Sequence, residues 1–249
     1  MQKYFDLKHI LVIFGCMFFF IFFAMLFARK SKKVQRVMLV LNTIFLTLLE
    51  AGRIVWRYFY LKDTAQPLTF WNIVNFDLYT VTLWISIIIL YCCVFRDPTK
   101  KACQLGYSFI FSVASIPAMF GLLYPEGMYS MFPLYHFSNL QFLIAHSILL
   151  LIALLLAITD WLQNEKFEDI WYALFSLIIV GVVGVAIYFA SRETLNIMYM
   201  QYCPLFEDLG LSVPWPWHIF IMGMFYFVAQ LLLYVPFEIH RKIKNRRRK

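Results

Sequence analysis

The chain is 249 residues long, with 62% apolar, 20% aromatic and 14% charged residues. Soluble globular domains carry roughly 45–50% apolar and about 25% charged residues, so a soluble domain, a disordered chain and a disulfide scaffold are excluded and the chain belongs in a bilayer. The formal net charge of +8 is then a record of which loops stay in the cytoplasm, and no nucleic-acid partner is expected.

Seven apolar stretches are expected to cross the membrane, each close to the ~20 residues a helix needs. The first, about 10–28, is uncharged and is followed by Arg29-Lys30-Ser31-Lys32-Lys33 rather than a cleavage site, which reads as an uncleaved span. The second, about 37–61, contains Glu50, Arg53 and Arg57; the third, about 68–95, holds Asn72, Asn75 and Asp77 in its first half. The fourth, about 102–123, carries Pro117 as a kink, and the fifth, about 137–159, holds His146. The sixth, about 170–190, and the seventh, about 215–237, are uncharged. The fold class expected is therefore all-α: a single domain over 1–249, seven transmembrane helices in one bundle.

Orientation follows from the basic residues. With the N-terminus outside, sixteen Lys and Arg fall in inner segments and four in outer ones, Lys3, Lys8, Lys62 and Arg192. That asymmetry places the N-terminus out and the C-terminus in. Trp161 and Trp171 fall at the inner interface and Trp56, Trp71, Trp215 and Trp217 near the outer one, as an aromatic belt requires, while Trp84 alone sits mid-span. The basic tail His240–Lys249 either sets topology alone or also contacts anionic lipid. Gly181 and Gly184 are three apart and do not form a GxxxG motif.

Charges inside a bilayer are costly and mark a functional site or a structural pair. At a rise of about 1.5 Å per residue, Glu50 lies about 10 Å below the outer face, and Asp77 and His146 about 13 Å below it. Three ionisable groups from three helices at one level suggest a polar pocket in the outer half. Each also has a plainer explanation. Glu50 and Arg53 are i,i+3 neighbours that can neutralise each other. Arg57 is expected to snorkel to water, Asp77 needs a partner from another helix, and Asn72 and Asn75 can hydrogen-bond between helices. A lone His146 can be a packing residue.

Several functions are excluded. No span carries a lysine away from its ends, as a retinal protein requires, and no ladder of basic residues forms a voltage sensor. Walker, HExxH and GxSxG motifs are missing. Cys16, Cys92, Cys93, Cys103 and Cys203 show no CxxC and no metal-ligand spacing. Neither a metal nor a cofactor is expected.

The second half is distinctive. Tyr124-Pro125 precedes Phe132-Pro133-Leu134-Tyr135-His136-Phe137, then Gln141-Phe142 and His146. Asn196-Ile197-Met198-Tyr199, Trp215-Pro216-Trp217 and Tyr234-Val235-Pro236-Phe237 follow. This succession resembles the YwaF-type family of seven-span integral membrane proteins, which has members in bacteria, with Glu50 and Arg53 resembling its acidic-basic pair on the second span. The resemblance implies a multi-pass protein of a cell membrane, here a bacterial plasma membrane, with membrane lipid as partner. A eukaryotic branch resembles a phospholipid acyltransferase that pairs a cysteine with a histidine. His146 matches that histidine, the tentative catalytic residue. Where the family has Pro-Leu-His-Leu-Cys, this chain reads Pro67-Leu68-Thr69-Phe70-Trp71, so Trp71 occupies the cysteine position and no cysteine-dependent acyl-enzyme is expected.

Three functions remain open. One is a lipid-binding protein or divergent acyltransferase, with Glu50, Arg53, Thr69, Trp71, Asn72, Asp77, Gln141, Asn196, Tyr199, Trp215 and Trp217 as candidate binding residues. A second is a proton-coupled transporter using Glu50, Asp77 and His146. The third is a structural or accessory subunit.

Overall fold

A computed structural model of the chain describes residues 7–64, 67–75, 77–124, 133, 135–159, 161–162, 170–190, 206, 210–214 and 217–246. All the regular structure among them is helical. In chain order the elements are α1 (Leu7–Ala28), α2 (Lys32–Lys62), α3 (Phe70–Val74), α4 (Leu78–Cys93), α5 (Lys101–Leu123), α6 (Phe137–Ile158), α7 (Ile170–Ala190) and α8 (Trp217–Arg246). Among the described residues, α1, α2, α5, α6, α7 and α8 are long and apolar enough to cross a membrane.

The third expected span is where the structure departs from the sequence reading. It is not one helix over 68–95. The five-residue α3 stops at Asn75, which adopts the left-handed conformation (φ 52°), and α4 starts afresh at the Asp77 cap. Asn tolerates this conformation better than other residues with a side chain, because its short amide bonds locally. The 16 residues of α4 reach about 24 Å, short of the roughly 30 Å hydrocarbon core.

α5 and α6 form the centre of the bundle, and α1 packs most extensively along α6. The outward faces of α1, α7 and α8 are lined with exposed Phe, Ile and Val such as Phe18, Ile178 and Phe220, surface that only lipid would cover favourably. On α2 the pattern is reversed: Gln35, Leu39, Thr43, Leu46 and Glu50 are buried at helical spacing, so its polar groups face inward, where other helices can satisfy them.

Pro117 explains the local geometry of α5. Its ring cannot donate a hydrogen bond and displaces the carbonyl four residues earlier, that of Val113. The turn Phe109–Ala114 is π-helical, as expected where the regular ladder is interrupted. Tyr226 of α8 donates its hydroxyl hydrogen to the Val113 carbonyl, satisfying the freed acceptor from another helix.

The opposite end of the bundle is clamped by two glutamines. Gln35 Nε2 donates to the carbonyls of Ala28 and Lys30, each at 3.1 Å, closing the C-terminal end of α1. Its Oε1 accepts from Trp161 Nε1 at 2.9 Å, while Gln104 Nε2 donates to the Trp161 carbonyl at 2.7 Å. Trp161 is enclosed by protein at 1% exposure.

Candidate functional site

Two structures meet in the half of the bundle near the C-terminal end of α2. The first is an ionic node. Glu50 is buried, with 5% exposure. It accepts from Arg53 Nε at 2.9 Å, from Arg53 Nη2 at 2.5 Å and from Trp84 Nε1 of α4 at 2.8 Å. Arg53 Nη2 also donates to the Val74 carbonyl at 2.8 Å, and Arg57 Nε donates to the Asn72 carbonyl. The short α3 leaves its last carbonyls without intrahelical partners, and two arginines of α2 supply the donors. Arg57, which the sequence suggested would only snorkel to water, thus also ties α3 to α2.

Asp77 is engaged locally rather than by another helix. Its Oδ1 accepts from the Thr80 amide at 2.5 Å, capping α4, and its Oδ2 accepts from Asn75 Nδ2 at 3.2 Å. It also lies within electrostatic reach of Arg53.

The second structure surrounds His146, whose ring is fully buried. His146 Nδ1 lies 2.7 Å from the Phe142 carbonyl. A carbonyl only accepts, so Nδ1 carries the proton and neutral Nε2 presents a lone pair. The ring stacks on Tyr79 at 3.6 Å between centroids and 13° between planes, and lies 3.7 Å from the Phe142 ring centroid. His146 Nε2 and the Tyr79 hydroxyl are both buried with no hydrogen-bond partner among the described residues. Gly121 of α5 backs the ring: a Cβ there would fall 2.4 Å from Nε2.

Tyr79 joins the two structures. It feels the charges of Glu50, Asp77 and Arg53 and stacks on His146, whereas no charged side chain among the described residues acts on His146 itself. Glu50 and Arg53 thus meet Asp77 electrostatically and reach His146 only through an aromatic ring.

The remaining candidates are more dispersed. Thr69 caps α3, accepting from the Asn72 amide at 3.2 Å. Asn72 Nδ2 donates to the Pro67 carbonyl at 2.7 Å, and Trp71 packs edge-on against Phe70 at 5.5 Å. Gln141 is buried on α6, five residues before His146, and Trp217 is 62% exposed at the start of α8. Asn196, Tyr199 and Trp215 lie outside the described residues. The sequence reading missed Tyr79, Trp84, Phe142 and Gly121. Only Trp84 carried a signal, as the one tryptophan away from an interface.

The model of the TMEM164 family matches residues 4–234. The match covers nearly the whole chain, and the chain belongs to this family of multi-pass membrane proteins. Neither a curated protein nor a solved structure matches it.

Proposed function

We propose that this TMEM164-family protein is lipid-active: it binds a hydroxyl-bearing lipid at His146 and has the groups for direct acyl transfer. The supporting observation is the pair of orphaned polar atoms, His146 Nε2 and the Tyr79 hydroxyl. A polar atom buried without a partner costs several kcal/mol in hydrocarbon-like surroundings. A lipid hydroxyl donating to Nε2, and an ester carbonyl accepting from Tyr79, would remove both costs. The broken α3–α4 segment favours the same location, since interrupted backbone at membrane depth is tolerated where it is enclosed by protein or lines a cavity.

The chemistry needs no thiol. His146 Nε2 takes the proton of the lipid hydroxyl as its oxygen attacks the ester carbonyl. Tyr79 donates to the carbonyl oxygen as negative charge develops there. The ester C–O bond then breaks, and the leaving oxygen recovers the proton from Nε2. Trp71, at the position that is cysteine in the YwaF-type pattern, cannot act as a nucleophile.

A proton-coupled transporter would need groups that exchange protons in sequence. Glu50 is instead held by three N–H donors, and His146 meets an aromatic ring and a carbonyl.

Purified protein given labelled phospholipid and lysophospholipid is expected to transfer acyl groups with no hydroxylamine-sensitive adduct on the chain. Replacing His146 by Ala should lower the rate at least ~100-fold, the scale of a lost general base. A stoichiometric adduct that disappears with one cysteine would overturn the direct mechanism. Failure of wild type both to transfer and to retain lipid would overturn the lipid-active function.

We also propose seven crossings, with α3 and α4 together making the third, the N-terminus out and the C-terminus in the cytoplasm. Reporters fused after Lys249 and within residues 125–133 should then report opposite sides. The same side for both would reject the orientation.

A further inference from the structure

We infer that the C-terminal half of α5, Ser115–Leu123, is a gate over His146, hinged at the π-helical turn and held shut by Tyr226 of α8. The inference rests on the lipid-active reading of His146 and adds how a lipid reaches it. In the closed bundle His146 is fully buried, its Nε2 atom included. On one side the cover is the backbone of α5, since a single carbon added at Gly121 would fall 2.4 Å from Nε2. A hydroxyl donating to that nitrogen needs about 3 Å between heavy atoms. The α5 segment must therefore draw back from α6 before the lone pair can be used.

The hinge is built into α5. Pro117 removes one bond of the helical ladder. The turn Phe109–Ala114 is π-helical, and such turns within α-helices accompany functional sites. Ser112 and Ser115 turn their hydroxyls back onto the carbonyls of Ser108 and Phe111, a pattern that bends helices. All three features precede Gly121, so a small rotation at the turn is carried to the segment that backs the imidazole. The break before α4, by contrast, is tied to α2 by Arg53 and Arg57. The tip of the α5 segment is held loosely: His9 Nε2 of α1 lies 3.5 Å from the Leu122 carbonyl, the long limit of a hydrogen bond.

The latch is on α8. The Tyr226 hydroxyl, donating to the Val113 carbonyl, pins the hinge from a separate helix. Gln230 lies one turn on, on the face shared with Tyr226 and Tyr234. Tyr234 meets Phe111 at 6.2 Å between ring centroids, so Gln230 is placed against the same turn of α5. It is fully buried, yet neither the nitrogen nor the oxygen of its amide has a hydrogen-bond partner among the described residues. An unpaired amide in apolar surroundings is costly. The closed state bears that cost, and a rotated turn, with its carbonyls and hydroxyls re-aimed, relieves it. Tyr226 favours the closed state and Gln230 the open one.

The test is carbethoxylation of the full chain in mild detergent by diethyl pyrocarbonate, read at His146 by peptide mass spectrometry. Wild-type His146 should react at least ~10-fold more slowly than an added histidine peptide, as for a site exposed only in a minor state. Tyr226→Phe keeps the ring but removes the latch, and should raise the His146 rate about tenfold. Gln230→Leu should lower the rate. Changes that merely loosened the bundle would shift it the same way in both variants. A wild-type rate equal to that of the peptide, an unchanged rate in Tyr226→Phe, or an unchanged or raised rate in Gln230→Leu would each overturn the gate. Acyl transfer plays no part in this readout. Opening in a protein that neither transfers nor retains lipid would reject the function and leave the gate standing.

Discussion

Replacing Glu50 by Ala is expected to cost about 3–5 kcal/mol, the range for breaking a buried ion pair from one side. The carboxylate receives two N–H groups of Arg53 and the indole N–H of Trp84. Its removal leaves a guanidinium whose side chain is only 14% exposed with one carbonyl in place of a counter-charge, and orphans the indole. A positive charge enclosed in this way is more expensive than the pair was worth, because only the more distant Asp77 then opposes it. Thermal unfolding in mild detergent should show a loss of order 10 °C. Glu50→Gln should be milder, since its amide oxygen still accepts from Trp84. The double variant Glu50→Leu, Arg53→Leu should recover more than half of the loss, because the guanidinium is then gone and only the weaker losses remain, those of the acceptor for Trp84 Nε1 and the donor to the Val74 carbonyl. A Glu50→Ala protein as stable as wild type would mean that Arg53 finds water, and that the node is not sealed as described.

The same residues show what could be read in the sequence. Six of the expected spans were legible because hydrocarbon admits no unsatisfied backbone and so imposes a length on every crossing. Glu50 and Arg53 were legible as a pair because three residues on a helix bring side chains together. Asp77 and Asn75 were not, although both lay in plain view. A helix-shaped hydropathy pattern from Leu68 to Phe95 hid a break set by one left-handed Asn and one capping Asp. The concentration of Thr69, Asn72, Asn75 and Asp77 within nine residues was the available clue, since these are cap and turn formers rather than span formers. Arg57, counted along α2 to the outer edge of the bilayer, also meets the Asn72 carbonyl of α3, a partner that the break exposes. Tyr79 and Gly121 were beyond reach for a different reason. Their roles come from α4 and α5 closing on α6, contacts between residues far apart in sequence that no local spacing encodes.

Gly121 carries the second large effect. A methyl group there would lie 2.4 Å from His146 Nε2, 2.6 Å from His146 Cδ2 and 3.1 Å from Phe142 Cζ. A side chain with free rotamers would move aside, but this imidazole has nowhere to go. Tyr79 stacks on it at 3.6 Å, the Phe142 ring centroid lies 3.7 Å away, and Nδ1 is tied to the Phe142 carbonyl at 2.7 Å. Gly121→Ala must therefore force α5 away from α6, at a cost of about 1–3 kcal/mol or more. It should also abolish acyl transfer, because the added carbon covers the lone pair that takes the proton. His146→Ala alone leaves a cavity between Tyr79 and Gly121, with its own stability cost. Combining the two changes lets the new methyl enter the space the imidazole vacated, so the double variant should be more stable than Gly121→Ala and the two effects strongly non-additive. Activity should be absent from all three proteins, since restored packing does not restore a base. Melting temperatures and transfer rates of the four proteins then separate the two roles of this contact. Additive stability losses would show that Gly121 and His146 do not touch. Full activity in Gly121→Ala would show that the Nε2 face turned toward α5 is not the one that meets the lipid.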